Sequence, residues 1–329
     1  MKLKTGLIFL MIALLFNWSC SSTKGSKKTD SKGHPTPNQT PPNQTPPDQT
    51  PPDQIPPPIK NPLVVLSYNI CWECMSHSSQ GTAGNLGAIC NFIDAPLNQT
   101  TLCAKNMAQL IETIPGQSRL KGYDFIAFQE AARWEQIKKH APNSFQNLKD
   151  EAFKRNLDHF VTFYDQTKYT LKHRIDDGFR PNSRPFQILV FKENIIFVNL
   201  HNCHGACVSE SFIESHLSRA LMANLNPTQI ANLQSFRIII AGDFNDHQAG
   251  GKIKSFQPFK TAGLNTTVSM KNHLDTCCST STPWSGSKGG DYIMDSESGS
   301  QISIPESYDK TKPHSDHLPV LGILRSKNQ

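Results

Sequence analysis

The run Arg237-Ile238-Ile239-Ile240-Ala241-Gly242-Asp243-Phe244-Asn245 carries an apolar strand into a tight turn that presents a carboxylate and a carboxamide. Further along, Ser315-Asp316-His317-Leu318-Pro319-Val320 supplies an Asp-His pair beside an extended segment. A carboxylate that orients a water, an amide that fixes its partner and an imidazole that meets developing negative charge are what phosphodiester hydrolysis with a divalent metal requires. Each run by itself specifies little; the two in this order specify a hydrolytic site.

Elements must bring these groups together. Short apolar runs rich in β-branched and aromatic residues mark strands at Leu63–Asn69, Asp124–Glu130, Phe186–Phe191, Ile195–His201 and Phe236–Asp243, and Leu318–Leu324 is expected to close the sheet. Helical periodicity is clearest from Phe212 to Leu225 behind a Ser-rich start at Ser209 and Ser211, with a second candidate at Leu102–Ile114. The Gly/Ser-rich segments 75–89 and 279–290 read as loops. Asn69, Glu130, His201, Asp243 and Asn245 each fall at the end of an apolar strand, where open α/β sheets gather their ligand sites. A single polar strand end is ordinarily a cap or a turn. Five in series have no such structural explanation.

These runs resemble the endonuclease/exonuclease/phosphatase superfamily, whose fold is that of deoxyribonuclease I. Ser67-Tyr68-Asn69 is similar to its first Asn motif, Phe128-Gln129-Glu130 to its metal-ligand Glu, and Asn199-Leu200-His201 to its first histidine. Gly242-Asp243-Phe244-Asn245, Asp291-Tyr292-Ile293 and Ser315-Asp316-His317 complete the set, and Arg184-Pro185 is similar to exported nucleases and to the catalytic subunit of cytolethal distending toxins. The resemblance implies a four-layer α/β sandwich, two mixed β-sheets packed face to face with helices outside.

It also implies roles. Glu130, helped by Asn69 and Asp316, suits a hard cation, Mg²⁺ or alternatively Mn²⁺ or Ca²⁺. Asp243 orients and deprotonates the attacking water, with Asn245 fixing it. His317, held in one tautomer by Asp291, meets a nonbridging phosphate oxygen. His201 is the candidate general acid, and Arg184 a substrate-binding cation. Deoxyribonuclease I-like enzymes pair this first histidine with a glutamate on a preceding strand; Gln187 and Asp177 lie in the region, and neither matches cleanly. His204, Trp72 and Trp284 read as loop or packing residues.

The amino-terminal part is of another kind. In residues 1–20, Lys2 and Lys4 precede an apolar stretch from Leu7 to Phe16 that is too short to span a bilayer and reads as a secretory signal. Ser19-Cys20 resembles a bacterial lipobox, with Asn17 where a leucine-like residue is usual, and makes Cys20 the lipidation candidate. Residues 21–60 pass from Ser/Lys-rich sequence into a five-residue repeat with two prolines in every five, an extended spacer that builds no core. The expected organisation is signal (1–20), tether (21–60) and one catalytic domain (61–329). The chain is then exported, either held at a membrane surface through its amino-terminal lipid or secreted.

Of the formal net charge of +6, the first 60 residues supply +4, from seven Lys/Arg and three Asp/Glu. The globular part is therefore not the strongly basic body of a tight nucleic-acid binder. Local clusters at Lys138-Lys139-His140, Lys172-His173-Arg174 and Arg180–Arg184 are either phosphate contacts or solvated surface charge. Nine cysteines, less Cys20, leave an even number, which in an exported chain reads as disulfides bracing active-site loops. A zinc site from Cys71, Cys74, Cys203, His204 and Cys207 is the competing reading.

The leading functional expectation is a metal-dependent nuclease outside the cytoplasm, cutting DNA or RNA with little sequence preference. A sphingomyelinase-like phospholipase or a phosphatase keeps the chemistry and changes the substrate, and a noncatalytic surface binder keeps only the scaffold. A monomer is expected, and the sequence points to no protein partner.

Overall fold

In the computed structural model, the described residues are 62–71, 99–117, 122–156, 158–180, 184–247, 251–279, 284–297, 301–311 and 314–326. The signal, the lipobox cysteine, the proline tether, Trp72, Cys74 and Cys90 lie outside them, as does the loop at 75–89.

Two mixed sheets carry the chain. The first runs in the order β12 (Gln301–Ser303), β13 (Val320–Leu324), β1 (Leu63–Asn69), β2 (Phe125–Gln129), β4 (Asp158–Asp165), β3 (Leu148–Arg155). The second runs β5 (Leu171–Phe179), β6 (Arg184–Phe191), β7 (Ile195–His201), β8 (Arg237–Asp243), β11 (Asp291–Asp295), β10 (Val268–Ser269), β9 (Ser255–Phe256). β1 and β2 pair in parallel, as do β7 and β8, and the other pairings are antiparallel.

Alternation of side chains along each strand builds the layers. Leu63 and Val65 of β1, Phe125 and Ala127 of β2, Phe197 of β7, Ile239 and Ala241 of β8 and Ile293 of β11 point between the sheets and form one apolar cluster. There the rings of Phe125 and Phe197 stack at 4.5 Å, one from each sheet. The intervening residues of β1 and β2, Val64, Leu66, Tyr68, Ile126 and Phe128, pack outward with Met107 and Ile111 of α1 (Gln99–Gln117), Ile137 of α2 (Trp134–His140) and Phe145 of α3 (Pro142–Phe145). On the other side Ile196, Val198, Ile238 and Ile240 pack with Ile213, Leu217 and Leu221 of α4 (Glu210–Asn224) and Ile230 of α5 (Pro227–Ala231). The result is the expected four-layer α/β sandwich. Ser209 caps α4 by accepting from the backbone N–H of Phe212, as the Ser-rich start implied.

Two expectations need correction. The last strand does not close its sheet: β13 is internal, with β12 outside it and β1 on the other side. Four further strands were not expected: β3 and β5 are polar, β11 is short, and β4 is an aromatic run flanked by Asp158 and Asp165. Among the described residues no helix is long and apolar enough to cross a membrane.

Candidate active site

The same alternation that fills the inter-sheet core delivers the polar groups. Asn69 continues the inward positions of β1, His201 those of β7 and Asp243 those of β8, and each is the last residue of its strand. Register then fixes the neighbours: His201 lies opposite Asp243, and Asp291, the first residue of the antiparallel β11, lies opposite Asp243 on its other side. The turn leaving β2 presents Glu130. β13 begins just after His317 and pairs with β1, which sets His317 beside Asn69. Strands that end here meet strands that begin here, so both sheets contribute to one cavity of about 190 Å³, lined by Asn69, Glu130, Arg184, His201, Asp243, Asn245, Asp316 and His317 among others.

Asp243 is the hub. Its Oδ1 accepts from the backbone N–H of Asn245 at 2.8 Å, and its Oδ2 accepts from the Asn69 carboxamide at 3.1 Å. The same Oδ2 lies 3.4 Å from Nε2 of His201 and 3.8 Å from Nε2 of His317. Burial works to raise the Asp243 carboxyl. The two imidazoles and the amide donors outweigh burial and hold it below its ordinary value.

Each histidine is oriented by its own carboxylate. His317 Nδ1 lies 2.7 Å from Asp291 Oδ2, and His201 Nδ1 lies 2.8 Å from Asp158 Oδ2. In both rings Nδ1 faces the orienting acid and Nε2 faces Asp243. Burial opposes charge on both. For His317, Asp291, Asp316 and Asp243 outweigh it and raise the imidazole well above its ordinary value; for His201, Asp158 does the same against burial and Arg184. Burial also pushes Asp291 up to about 6.

The partner of His201 is thus not the expected glutamate but an aspartate, Asp158, the first residue of β4. The two alternatives are otherwise engaged: Gln187 donates to Asp176, and Asp177 accepts from Arg155. A signal was available. Phe160-Val161-Thr162-Phe163-Tyr164 is an aromatic strand run, and an antiparallel strand brings its beginning, not its end, to the site.

Arg184 enters the cavity from the start of β6, with Nη1 3.2 Å from Glu130 Oε1, 3.6 Å from Asp158 Oδ2 and 2.5 Å from His201 Nε2. Single members of the other basic segments pair with carboxylates away from the cavity. Lys138 pairs with Asp150, Lys168 with Asp124 and Asp165, and Arg174 with Glu151 and Asp176.

Backbone strain gathers at the same place. Five non-glycine residues among those described have positive φ, and three of them, Cys71 (55°), Glu130 (53°) and Asn245 (52°), line the cavity. Each costs on the order of 1 kcal/mol or more, and such outliers persist where the surroundings over-determine them. Asn245 is further pinned through its carboxamide, which donates to the Asn202 carbonyl at 2.6 Å. Asn202, absent from the sequence expectations, is fully buried, and its own carboxamide donates to the carbonyls of Cys207 and Phe244.

Two cysteines, Cys71 and Cys278, line the cavity. Cys203 and Cys207 form one disulfide and Cys277 and Cys278 another, and Cys71 is also disulfide-bonded. In this oxidised state the zinc set of Cys71, Cys74, Cys203, His204 and Cys207 is not assembled: Cys203 and Cys207 are bonded to each other, Cys71 is disulfide-bonded, and Cys74 lies outside the described residues. Trp284 is buried in the core with Nε1 donating to the Asp316 carbonyl, so it packs and does not stack on a ligand.

For a hard cation the donor set fits. Asn69, Glu130 and Asp316 bring oxygen ligands to one cavity. Asn69 Oδ1 already accepts from the Cys71 N–H at 3.1 Å, so it offers a second lone pair, and Glu130 shares its carboxylate with Arg184.

Comparison with known proteins adds context. No family model matches the chain. The uncharacterized protein L684 of Acanthamoeba polyphaga mimivirus is 33% identical over 151 residues, 44% of this chain, and the match spans only 28% of that relative's length. Solved structures similar in fold include truncated Caenorhabditis elegans TDP2, at 12% identity and TM-score 0.47, covering 79% of this chain and 96% of that one. The mannosyl-6-phosphatase Bt3783 of Bacteroides thetaiotaomicron is at 16% identity and TM-score 0.45, covering 80% and 99%. ANGEL2, described as a 2',3'-cyclic phosphatase, is at 15% identity and TM-score 0.48, covering 82% and 96%. At these values the likenesses carry no argument about activity, which rests on the side chains themselves.

Proposed function

We propose that the chain is a divalent-metal-dependent phosphoester hydrolase of the endonuclease/exonuclease/phosphatase superfamily, acting outside the cytoplasm as a nuclease of low sequence specificity. One observation carries the hydrolase reading. A buried carboxylate, Asp243, is flanked on the same oxygen by two imidazoles, each oriented by its own aspartate.

The chemistry follows from these positions. Asp243, ionised at neutral pH, orients the attacking water and receives its proton as the new P–O bond forms, and Asn245 and Asn69 keep the carboxylate aimed. The His317 imidazolium donates from Nε2 to a nonbridging oxygen. His201, protonated through its pairing with Asp158 once Arg184 turns from the ring to the phosphate, delivers a proton from Nε2 to the departing oxygen. Arg184 neutralises a phosphate oxygen. A hard cation, Mg²⁺ as the first choice, held by Asn69, Glu130 and Asp316, would supply charge neutralisation on the phosphoryl and leaving oxygens.

Support for the exported, surface-tethered location is the sequence alone: the signal-like segment, Cys20 and the proline spacer. A second reading, a phospholipid or phosphomonoester substrate, is favoured by the engagement of Lys138, Lys168 and Arg174 with carboxylates, which takes these three cations out of any phosphate-binding track.

The test is to incubate the full chain with supercoiled plasmid, RNA, sphingomyelin and a phosphomonoester, each with Mg²⁺ or EDTA, alongside Asp243→Ala and His317→Ala. Nicking abolished by EDTA and by both substitutions is expected. Lipid or monoester cleavage alone selects the second reading, and no hydrolysis of any substrate overturns both.

A further inference from the structure

One group of ligating side chains borders that cavity without being used by the hydrolytic chemistry. Cys277 Sγ lies 3.4 Å and Cys278 Sγ 3.8 Å from Nε2 of His247, and Cys278 Sγ lies 3.7 Å from Nε2 of His317. We propose that Cys277, Cys278 and His247, once the disulfide between the two cysteines is reduced, form a binding site for a thiolate-seeking cation such as Zn²⁺ at the edge of the same cavity, which Cys278 lines beside His317.

The distances fit a coordination sphere. Zn–S bonds of about 2.3 Å and Zn–N bonds of about 2.0–2.1 Å in a tetrahedron place sulfur and nitrogen roughly 3.6 Å apart. The two separations to His247 and the one from Cys278 to His317 lie close to that value, and after the S–S bond opens the sulfurs must still part to the spacing that two thiolates take on one ion. Two thiolates and an imidazole are soft and borderline ligands that favour Zn²⁺ over Mg²⁺, whereas Asn69, Glu130 and Asp316 offer only oxygen.

The frame around the sulfurs does not depend on the disulfide. Backbone bonds in both directions hold Cys277 to Lys288, at 2.9 and 3.0 Å. The Ser279 N–H donates to the Asp316 carbonyl, and the Leu318 N–H donates to the Thr276 carbonyl. A bridge between adjacent residues closes a minimal loop, and loop-closure stabilisation grows with loop length, so breaking it removes little constraint. Cys278 is exposed and Cys277 buried, so a reductant reaches the pair from one side.

The redox step balances. A dithiol breaks the Cys277–Cys278 S–S bond, supplies two electrons and leaves as its own disulfide, and both cysteines become thiols. Cation binding then releases the two thiol protons to solvent. The fourth position of the sphere faces His317 Nε2, which would be drawn from its place beside Asp243.

Metal binding to the full chain decides the matter. The chain is reduced with dithiothreitol, desalted without oxygen, checked for folding by circular dichroism and titrated with Co²⁺ and then Zn²⁺. The expected result is one equivalent of Co²⁺ with thiolate-to-cobalt absorption, displaced by Zn²⁺ and absent from the oxidised chain. Cys278→Ser and the independent His247→Ala should each weaken Zn²⁺ binding by at least about tenfold, while Cys203→Ser/Cys207→Ser leaves it. A folded, reduced chain without that absorption overturns the proposal, as does full-strength absorption in both the Cys278 and His247 variants. The readout is spectroscopic, so failure here is separate from failure of the hydrolase reading, which the substrate assays decide.

Discussion

Asp158 Oδ2 lies 2.8 Å from Nδ1 of His201, across 43 positions of sequence. The pair makes His201 the counterpart of His317 with Asp291, and Asp243 stands between the two rings. Asp158→Asn removes the charge that raises the His201 imidazole. The His201 pKa, followed by NMR, should fall, and kcat should drop by about 10²-fold or more as the general acid loses its proton near neutrality. The linkage has a definite sign. A histidine whose folded value is raised above its ordinary 6.5 contributes stability that is fully present below 6.5 and is lost as pH rises through the folded value. The stability gap between wild type and Asp158→Asn should therefore be widest in acid and shrink toward alkaline pH. A gap that does not vary with pH in denaturant titrations rejects the pairing.

The sequence showed the strands that are apolar throughout and the polar residues at their ends. It hid the strands whose faces differ. β3, Leu-Lys-Asp-Glu-Ala-Phe-Lys-Arg, and β5, Leu-Lys-His-Arg-Ile-Asp-Asp-Gly-Phe, are partly exposed strands near or at sheet edges, so their composition resembles loops. Asp158 escaped because pairing in space between β2 and β4, and not spacing along the chain, brings it to Glu130 and His201. Asn202 escaped because its work is done through backbone carbonyls, which no motif records.

Gly242 sets the distance between β7 and β8 where His201 faces Asp243. Its φ is +149°, and a Cβ there would collide with the Leu200 carbonyl of the paired strand. Gly242→Ala should destabilise the fold by roughly 2 kcal/mol or more. It should also lower kcat beyond what unfolding explains, checked by denaturant titration and by kinetics well below the melting temperature. Unimpaired turnover in the variant would show that this spacing is slack.

Glu130 answers to two cations. Glu130→Gln should raise the Mg²⁺ concentration for half-maximal activity by about tenfold or more, since it removes one of the two carboxylates, with Asp316, offered to the ion. Arg184→Met removes the competitor from Glu130 and should leave that Mg²⁺ requirement equal or lower while raising KM. A higher Mg²⁺ requirement in Arg184→Met contradicts this division of roles.

Reduction should slow hydrolysis without melting the protein. The Cys203–Cys207 bridge shapes the turn after His201, and Asn202 ties that turn to Phe244 and Asn245. Activity in the presence of a metal chelator specific for zinc, restored to optimal Mg²⁺, should fall severalfold on complete reduction while the circular dichroism is retained. Turnover unchanged with every thiol counted as free would end the idea.

Asn69, Glu130 and His317 stand on one sheet, and His201, Asp243 and Asp291 on the other. Turnover thus becomes a gauge of how the two slabs are seated on each other. The Phe125–Phe197 stack is one of the bolts between them, so trimming either ring should misalign proton donor and phosphate grip at temperatures where the chain is still folded.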